Sequence, residues 1–477
     1  MMHNLSDFLS WAKGQKIAVV GAGISNRPLI KLLLDAGLEV KIFDKATEES
    51  LAPWRTELAS QGLQAAWSLG QGYLGQLHGF DLIFRTPIVR PDLPELVAER
   101  KRGAVITSEM EVFLKLCPAE VIGITGSDGK TTTSTLTALA LQTAGYKTWL
   151  GGNIGSPLLS SLPQMRAQDK VVVELSSFQL MSMATSPETA VMTNLSPNHL
   201  DVHKDFTEYG EAKAQIFEHQ SLSDRLVLKG SDPHLQAFAL RAKGEVIWTE
   251  TRPFGDQKLF GLSDNLLYYQ ESPQSLPQTL ITRQDLCLSG RFNALNVLSA
   301  LAATDHLVGP DQKAQVLQAL ADFTGVEHRL QQIRTLDGVR YYDSSIDSSP
   351  ARTVASLSAF KEAGVPLYLI AGGKDKNLDY SELGQVILAS CRGVYLCGQN
   401  ADLIAQAVRQ AQDRQAGDSE QLTVSILSSY ADCLKLARQE APAGSAVLLS
   451  PAGTSFDRFK NFEERGQVFQ ELVKALS

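Results

Sequence analysis

The chain has 477 residues, 44% of them hydrophobic and 20% charged, with a formal net charge of −8. This is the composition of a protein with a sizeable buried core, and at roughly 100–200 residues per domain the length allows two to four domains. Interspersed acids and bases argue against a nucleic-acid binder while leaving room for a local basic pocket, and no apolar run reaches the ~18 residues of a membrane span.

The N-terminal stretch MMHNLSDFLSWAKGQK lacks the basic-then-apolar layout of a signal peptide. Next, KIAVVGAGIS (16–25) reads as a buried strand ending in a glycine turn, followed by an apolar helical pattern through Leu29, Ile30, Leu33 and Leu34. LEVKIFD (38–44) closes a βαβ start, and FDLIFRTP (80–87) and GAVITSE (103–109) add strands. Near Cys117-Pro118 the pattern restarts: VIGIT is a strand, a Gly/Thr-rich loop follows, and Thr132–Ala144 is a helix. KVVVELSS (170–177) and AVMTNLS (190–196) are strands, and RFNALNVLSALAATDHL (291–307) is a helix. Beyond FTGVEHRL (323–330) come the apolar strands VPLYLIAGG (365–373), GVYLCGQ (393–399) and SAVLLSPAG (445–453). The Gln/Asp-rich 410–421 reads as a loop tip or frayed helix end. Strands alternating with helices indicate parallel α/β sheets. Three α/β domains are expected, 1–117, 118–325 and 326–477. The outer two are Rossmann-like and the middle one is a P-loop ATPase-type parallel sheet. The five cysteines contain no CxxC pair and read as reduced thiols in a cytosolic protein.

Three stretches carry chemistry. TGSDGKTTT (125–133) ends like the phosphate-binding pattern G-x-x-x-x-G-K-[ST], although Ile124 stands where its first glycine belongs and the glycines are Gly123, Gly126 and Gly129. A strand precedes it and a helix follows. Backbone N–H groups of the glycine turn would cradle a phosphate, Lys130 would reach the β/γ-phosphates and Thr131 or Thr132 would hold Mg²⁺. GAGISN (21–26) is a weaker signal, because Asn26 replaces the third glycine of a dinucleotide fingerprint; Asp44 ends the second strand, where a ribose-binding acid would sit. Glu174 and the group Asn198, His199, Asp201 and His203 fall at strand ends after the loop, where ligands of open α/β sheets gather. A carboxylate with one imidazole and phosphate oxygens is a plausible Mg²⁺ set, with His199 favoured over His203.

TGSDGKTTT, GGNIG (151–155), ELSSFQL (174–180), TNLSPNHLDVH (193–203), YGEAKAQIF (209–217), GRFNALN (290–296), FTGVEHR (323–329) and LLSPAGTSFDRFKNFEERGQVF (448–469) occur in that order. Together they resemble the Mur ligases of peptidoglycan synthesis from about residue 15 to the end. ELSSFQL and SPAGTSFDRFKNFEERG favour the D-glutamate-adding branch. The resemblance implies ATP-dependent amide formation through an acyl phosphate, between UDP-N-acetylmuramoyl-L-alanine and D-glutamate. It also implies two Mg²⁺ ions, a cytoplasmic monomer, and no nucleic-acid or membrane partner. Gly126, Ser127, Asp128, Gly129, Lys130, Thr131 and Thr132 would bind ATP, with Asn293 and Asn296 at adenine, Arg329 at the γ-phosphate and Asp343 at the ribose. Gly23, Ile24, Ser25 and Asp44 would bind the UDP part, and Asn153 and Ser176 that substrate or the metal shell. Thr131 and Glu174 would hold one metal and His199 the second. Lys213, carried as a carbamate in the family, would offer that metal a carboxylate. Lys376, Ser455 and Phe462 map to the amino-acid site.

One stretch departs from the family pattern. After Asp343 that pattern reads Asp-Ser-Lys-x-Thr-Asn, whereas DSSIDSSP has Ser345 in place of the lysine and Asp347 in place of the threonine. A second carboxylate beside a dianionic amino acid is repulsive, so Asp347 is expected to turn away and pair with Lys374 or Arg352. Three alternatives remain: a ligase of the same superfamily adding another amino acid, a P-loop ATP-binding protein without ligase chemistry, and a nicotinamide-dependent oxidoreductase built on GAGISN.

Overall fold

The structure, a computed structural model, describes residues 4–477 apart from 24, 155–157, 200–201, 289, 363, 376–377 and 415–421, and apart from the side chain of residue 362. Twenty strands form three sheets among the described residues. The first contains β1 (Ile17–Val20), β2 (Val40–Asp44), β3 (Ala66–Leu69), β4 (Leu82–Arg85) and β5 (Val105–Thr107), all parallel, in the order β3-β2-β1-β4-β5. Every residue of β1 and β4 is buried, as helix-covered parallel strands require.

The second sheet contains β6 (Glu120–Thr125), β7 (Thr148–Gly152), β8 (Lys170–Glu174), β9 (Thr189–Met192), β10 (Arg225–Lys229), β11 (Glu245–Glu250), β12 (Leu259–Ser263), β13 (Leu266–Gln270) and β14 (Gln278–Thr282). Its order is β14-β13-β12-β11-β10-β9-β6-β8-β7, parallel except at β12–β13 and β13–β14. The third contains β15 (Gln331–Leu336), β16 (Val339–Asp343), β17 (Leu367–Ala371), β18 (Cys391–Leu396), β19 (Thr423–Ile426) and β20 (Ala446–Leu449), ordered β15-β16-β20-β17-β18-β19 and parallel except at β15–β16. The antiparallel pairs depart from the all-parallel expectation for a steric reason. Only Asp264 and Asn265 join β12 to β13, and only Asp337 and Gly338 join β15 to β16. A parallel crossover needs a dozen or more residues, whereas two residues with positive φ close a hairpin; Asp337 and Gly338 both have positive φ, 48° and 76°.

The chain forms two compact units, Met1–Asp285 with Phe292–Ala321, and Leu286–Arg291 with Asp322–Ser477. The first and second sheets therefore share one unit and one core. Phe113 and Leu116, on the helix Glu109–Leu116 between the sheets, pack in the same cluster as Leu29 of the first layer and Leu159 of the second. At that joint the Glu109 carboxylate is buried and accepts the Leu159 N–H at 3.1 Å. No helix among the described residues is long and apolar enough to cross a membrane.

Burial pushes the Glu109 carboxyl up to about 7, against the opposing pull of the Leu159 N–H. The unfolded chain releases this proton near 4.5, so between these values the folded state binds more protons, and stability falls as pH rises through the window. Glu109→Gln keeps the acceptor for Leu159 and removes the charge. Its unfolding free energy, from urea titration, is expected to lie near that of the unmodified chain at pH 5 and above it at pH 8, by on the order of 2–3 kcal/mol.

Candidate active site

At the C-terminal edge of β6 the chain turns through Gly126 (φ 147°) and Gly129 (φ 77°) into the helix Lys130–Thr143. Neither glycine can be replaced without collision: a Cβ would lie 1.9 Å from Thr193 Oγ1 at Gly126 and 2.4 Å from Asn296 Oδ1 at Gly129. No side chain caps the helix, so its first N–H groups remain available to an anion. The Ser127 and Asp128 N–H groups bond the Asn194 carbonyl (3.0 Å) and Asn194 Oδ1 (2.9 Å), which fixes the loop against the end of β9. Lys130 folds over this loop, its Nζ donating to the Gly126 (3.0 Å) and Ser127 (2.9 Å) carbonyls. Thr132, half-buried, lies in the first turn of the helix.

Glu174 ends β8 beside the loop and is 2% exposed. Thr131 Oγ1 donates to its Oε2 (2.7 Å) and Asn153 Nδ2 to its Oε1 (2.8 Å). Ser176 caps the following short helix, its hydroxyl accepting the Gln179 N–H at 3.3 Å while Gln179 Oε1 accepts the Ser176 N–H at 2.9 Å. On the other side of the loop Lys213, also 2% exposed, donates to the Gly126 carbonyl (2.7 Å) and Thr125 Oγ1 (3.3 Å), with its Nζ 4.8 Å from the Tyr209 ring centroid. Burial, and next the charge of Lys130, drive the Lys213 amine well below the ordinary lysine range, against the opposing fields of Asp128 and Glu174. Asn296 Oδ1 accepts from Thr133 Oγ1 (3.2 Å), and both Asn293 and Asn296 are buried at the foot of the same helix.

His199 is exposed and left-handed (φ 54°), its ring 5.1 Å from Phe178 and 6.4 Å from Tyr209. Tyr209 OH and Ser127 Oγ lie 3.0 Å apart, and Ser127 Oγ donates to the Ser196 carbonyl (2.9 Å), which ties the His199 loop to the phosphate loop. His203 is buried, stacked on Phe178 and 3.0 Å from Ser177 Oγ. Asp201 lies outside the described residues. Among those described, no three His, Cys, Asp or Glu side chains are gathered closely enough to hold a metal unaided, so the carbonyl, hydroxyl and amine groups around Glu174 have to be counted as well.

In the first sheet, Gly21 (φ 97°) must be glycine because a Cβ would lie 2.5 Å from Thr86 Cγ2. Asp44 clamps the turn, accepting from the Ala22 (2.6 Å) and Ala46 (2.8 Å) N–H groups. Asn26, where a dinucleotide fingerprint has glycine, is buried and donates to the Gly21 carbonyl at 2.9 Å. Gly21 and Asp44 line a cleft of about 290 Å³ with Tyr73, Thr86, Ile88 and Arg90. Gly23 and Ser25 are exposed at the same turn; Ile24 lies outside the described residues.

The second unit holds the remaining residues. Asp343, ending β16, is fully buried and bonded to His328 Nδ1 (2.7 Å), Gln470 Nε2 (3.1 Å) and the Ser345 N–H (2.8 Å). Burial alone would depress His328, but the Asp343 bond and charge outweigh it and hold the imidazole above its ordinary value. Arg329 is half-buried next to it, its N–H on the Val326 carbonyl (2.9 Å). Ser455 is 2% exposed, its carbonyl accepting from the Arg458 and Phe459 N–H groups, and Phe462 begins the helix Phe462–Lys474. Lys376 lies outside the described residues.

Asp347 pairs with neither Lys374 nor Arg352. Its Oδ2 accepts from Ser356 Oγ and Ser450 Oγ, both at 2.7 Å, while Arg352 donates to the Ile346 carbonyl and reaches the carboxylate only through its field. Burial raises the Asp347 carboxyl, and hydroxyl donors are what such a group accepts without a cation. Ser345, in the family's lysine position, accepts from Arg465 Nε (3.0 Å) and donates to the Phe462 carbonyl (2.8 Å). Arg465, Arg85 and Arg90 are the side chains that motif reading overlooked. The available signal was a charge inside an apolar strand, LIFR, and an arginine after the glutamates of FEER.

A phosphate loop, a buried acid beside it and a desolvated lysine across it define a nucleotide-dependent phosphoryl-transfer centre. A match to "Mur ligase middle domain" covers residues 124–304 and one to "Mur ligase, glutamate ligase domain" covers 328–453. The chain belongs to the Mur ligase family, whose members are ATP-dependent ligases of peptidoglycan synthesis. It is 44% identical over 481 residues to the UDP-N-acetylmuramoylalanine–D-glutamate ligase of Ruminiclostridium cellulolyticum, covering 100% of both chains. The enzyme of that name from Acetivibrio thermocellus is 44% identical over 477 residues, again covering 100% of both. Among solved structures, the UDP-N-acetylmuramate-alanine ligase MurC of Thermotoga maritima superposes with a TM-score of 0.55 at 19% identity, over 97% of this chain and 99% of that one. MurF ligase of the same organism, in complex with ADP, gives 0.54 at 16% identity, over 96% and 95%. The likeness to these structures is one of fold, α/β with parallel-dominated sheets.

Gly129→Ala tests the loop. A left-handed backbone and a 2.4 Å contact leave the methyl group no room, and strain of about 1–3 kcal/mol falls on the phosphate cradle. ATP turnover, followed by phosphate release, is expected to drop roughly tenfold or more, with an unchanged far-ultraviolet circular dichroism spectrum.

Proposed function

We propose that the chain joins D-glutamate to UDP-N-acetylmuramoyl-L-alanine with cleavage of ATP to ADP and phosphate. The observation that carries this reading is the Lys213 amine held on the Gly126 carbonyl at 2.7 Å, buried across the phosphate loop from Glu174. The identity of the relatives covered along their whole length, both UDP-N-acetylmuramoylalanine–D-glutamate ligases, supports the choice of amino acid and UDP-sugar.

A carboxylate is a poor electrophile. Transfer of the γ-phosphoryl group to a carboxylate oxygen of the alanyl substrate converts it to an acyl phosphate and releases ADP. The neutral amine of D-glutamate then attacks the carbonyl carbon; the C–N bond forms, phosphate leaves and the nitrogen loses a proton. In the first step two anions approach each other, and Lys130, at the loop carbonyls, supplies the fixed cation that offsets their repulsion. The uncapped N-terminus of the helix Lys130–Thr143 orients the phosphates, and Asn293 and Asn296 stand at the adenine. Arg329 and Asp343 are assigned to the γ-phosphate and ribose.

The donor set fits Mg²⁺, which favours hard oxygen ligands: a buried carboxylate with a hydroxyl 2.7 Å away. Thr131 and Glu174 would hold one ion, and His199 with carbamylated Lys213 the second. Bound Mg²⁺ supplies charge neutralisation at the transferring group. Carbamate formation needs a neutral amine: Lys213 Nζ bonds the carbon of CO₂ and loses a proton. The depressed lysine is suited to this. Gly23, Ile24, Ser25 and Asp44 take the UDP part, with Asn153 and Ser176 toward the reacting end; Lys376, Ser455 and Phe462 take D-glutamate. The working division is 1–117, 118–325 and 326–477, for UDP-sugar, ATP and amino acid, in a cytoplasmic monomer.

Phosphate release is expected only with ATP, the UDP-sugar and D-glutamate together, and Lys130→Ala is expected to abolish it. Full ATPase activity without the other substrates, or robust turnover by the variant, rules the mechanism out. Lys213→Ala is expected to lose activity and to regain part of it with a short-chain carboxylic acid. Carbon-13 bicarbonate is expected to give a lysine carbamate resonance in the unmodified enzyme with Mg²⁺ and none in the variant.

A further inference from the structure

One six-residue segment, Arg85 to Arg90, touches the first-sheet cleft and both sides of the phosphate-loop site. Thr86, Ile88, Val89 and Arg90 form a wall of the cleft that Gly21 and Asp44 also line. At one end of the segment Arg85, 1% exposed, directs Nη1 to the Thr86 (3.3 Å), Pro87 (3.0 Å) and Val89 (2.7 Å) carbonyls. Its Nη2 donates to the Phe178 carbonyl (3.3 Å) and Ser182 Oγ (2.7 Å), on and just beyond the short helix that follows Glu174. At the other end Arg90 Nη1 donates to the Val202 carbonyl (2.6 Å), in the loop that carries His199. It also grips both carboxylate oxygens of Glu208, at 3.0 and 2.7 Å, on the helix Phe206–Glu218 that carries Lys213. Asp92 takes its remaining donors, both at 2.9 Å.

Two features make this connection stiff. A buried guanidinium is costly unless its donors are taken, and the two Nη atoms of Arg85 are held by five acceptors drawn from both layers, with Nε the one donor that has no partner among the described residues. A bidentate arginine–carboxylate pair is directional as well as strong, so the Arg90–Glu208 fork fixes the orientation of the wall relative to the Lys213 helix. A ligand that displaces the wall therefore displaces the supports of His199 and Lys213.

We propose that the Arg85–Arg90 segment is a strut through which occupancy of the cleft by the UDP-sugar tightens the divalent-cation site, with Arg90 as the positioning residue. This rests on the proposed reading, in which the cleft takes the UDP part and His199 and Lys213 serve a cation. Coupling of this kind is reciprocal: each ligand raises the affinity of the other by the same factor.

The test measures Mn²⁺ affinity by electron paramagnetic resonance, with a non-hydrolysable ATP analogue present, without and with UDP-N-acetylmuramoyl-L-alanine. In the unmodified chain the UDP-sugar is expected to tighten Mn²⁺ about fivefold or more. Arg90→Gln is expected to reduce the factor to less than about twofold and to weaken UDP-sugar binding by the factor lost, with the KM for D-glutamate unchanged. Arg90→Lys, which keeps the charge but not the fork, falls between. If the glutamine variant fails to fold by thermal melt, the lysine variant decides. An unmodified chain without coupling, or an Arg90→Gln or Arg90→Lys protein that keeps all of it, overturns the strut. Failure of the unmodified chain to bind the UDP-sugar at all overturns the ligase reading as well.

Discussion

A lysine amine buried beneath a loop carbonyl, with no carboxylate in ion-pair reach among the described residues, sets the terms for the whole phosphate-loop region. Lys213 has traded water for the Gly126 carbonyl and the Thr125 hydroxyl, and Lys130 stands near enough to repel it. As an ammonium it would be one of the costliest groups in the fold. As a neutral amine it is tolerable. As a carbamate it would turn the repulsion from Lys130 into attraction. Tyr209 presents its ring face to the amine while its hydroxyl lies against Ser127. The loop can lie this close to the end of β9 only because Gly126 carries no side chain, since a Cβ there would lie 1.9 Å from Thr193 Oγ1.

Glu174 answers this arrangement from the opposite side. Gly152 lets β7 run so close to β8 that a Cβ there would lie 2.3 Å from the Glu174 carbonyl, and the Asn153 N–H reaches that carbonyl at 2.8 Å. Asn153 thus holds the acid twice, through its backbone and through its side chain. With Thr131 on the other oxygen the carboxylate has little freedom.

Much of this was legible in the sequence. Apolar runs ending in glycine or proline turns located several buried parallel strands in each of the three sheets, because such strands are continuous in hydrophobicity, but the buried parallel strands β10, β11 and β16 were passed over. The phosphate loop was legible because its chemistry is local: glycines, a lysine and a helix start within nine residues. Strands β12 to β14 were not: QTLIT is the edge strand β14 and only partly covered, and the short LFGLS of β12, though buried, is broken by Gly261. The strut was illegible for another reason. Arg85 and Phe178 lie 93 positions apart and Arg90 and Glu208 lie 118 apart, and no local pattern encodes which carbonyl a buried arginine will meet.

The DSSIDSSP departure shows how a charge change is absorbed. Losing a lysine and gaining an aspartate would leave two uncompensated effects if the backbone around them were fixed by the family pattern alone. Here the cation at Ser345 comes from a different element, since Arg465 donates to both the Ser345 hydroxyl and carbonyl and to the Gly453 carbonyl. The added anion withdraws to two serines, and the nearest arginine acts on it only at a distance. Neither change therefore places a net new charge among Ser455 and Phe462. Ser345 in turn holds the Phe462 carbonyl, so the side chain in the family's lysine position orders the start of the helix Phe462–Lys474, to which the proposed amino-acid site is assigned.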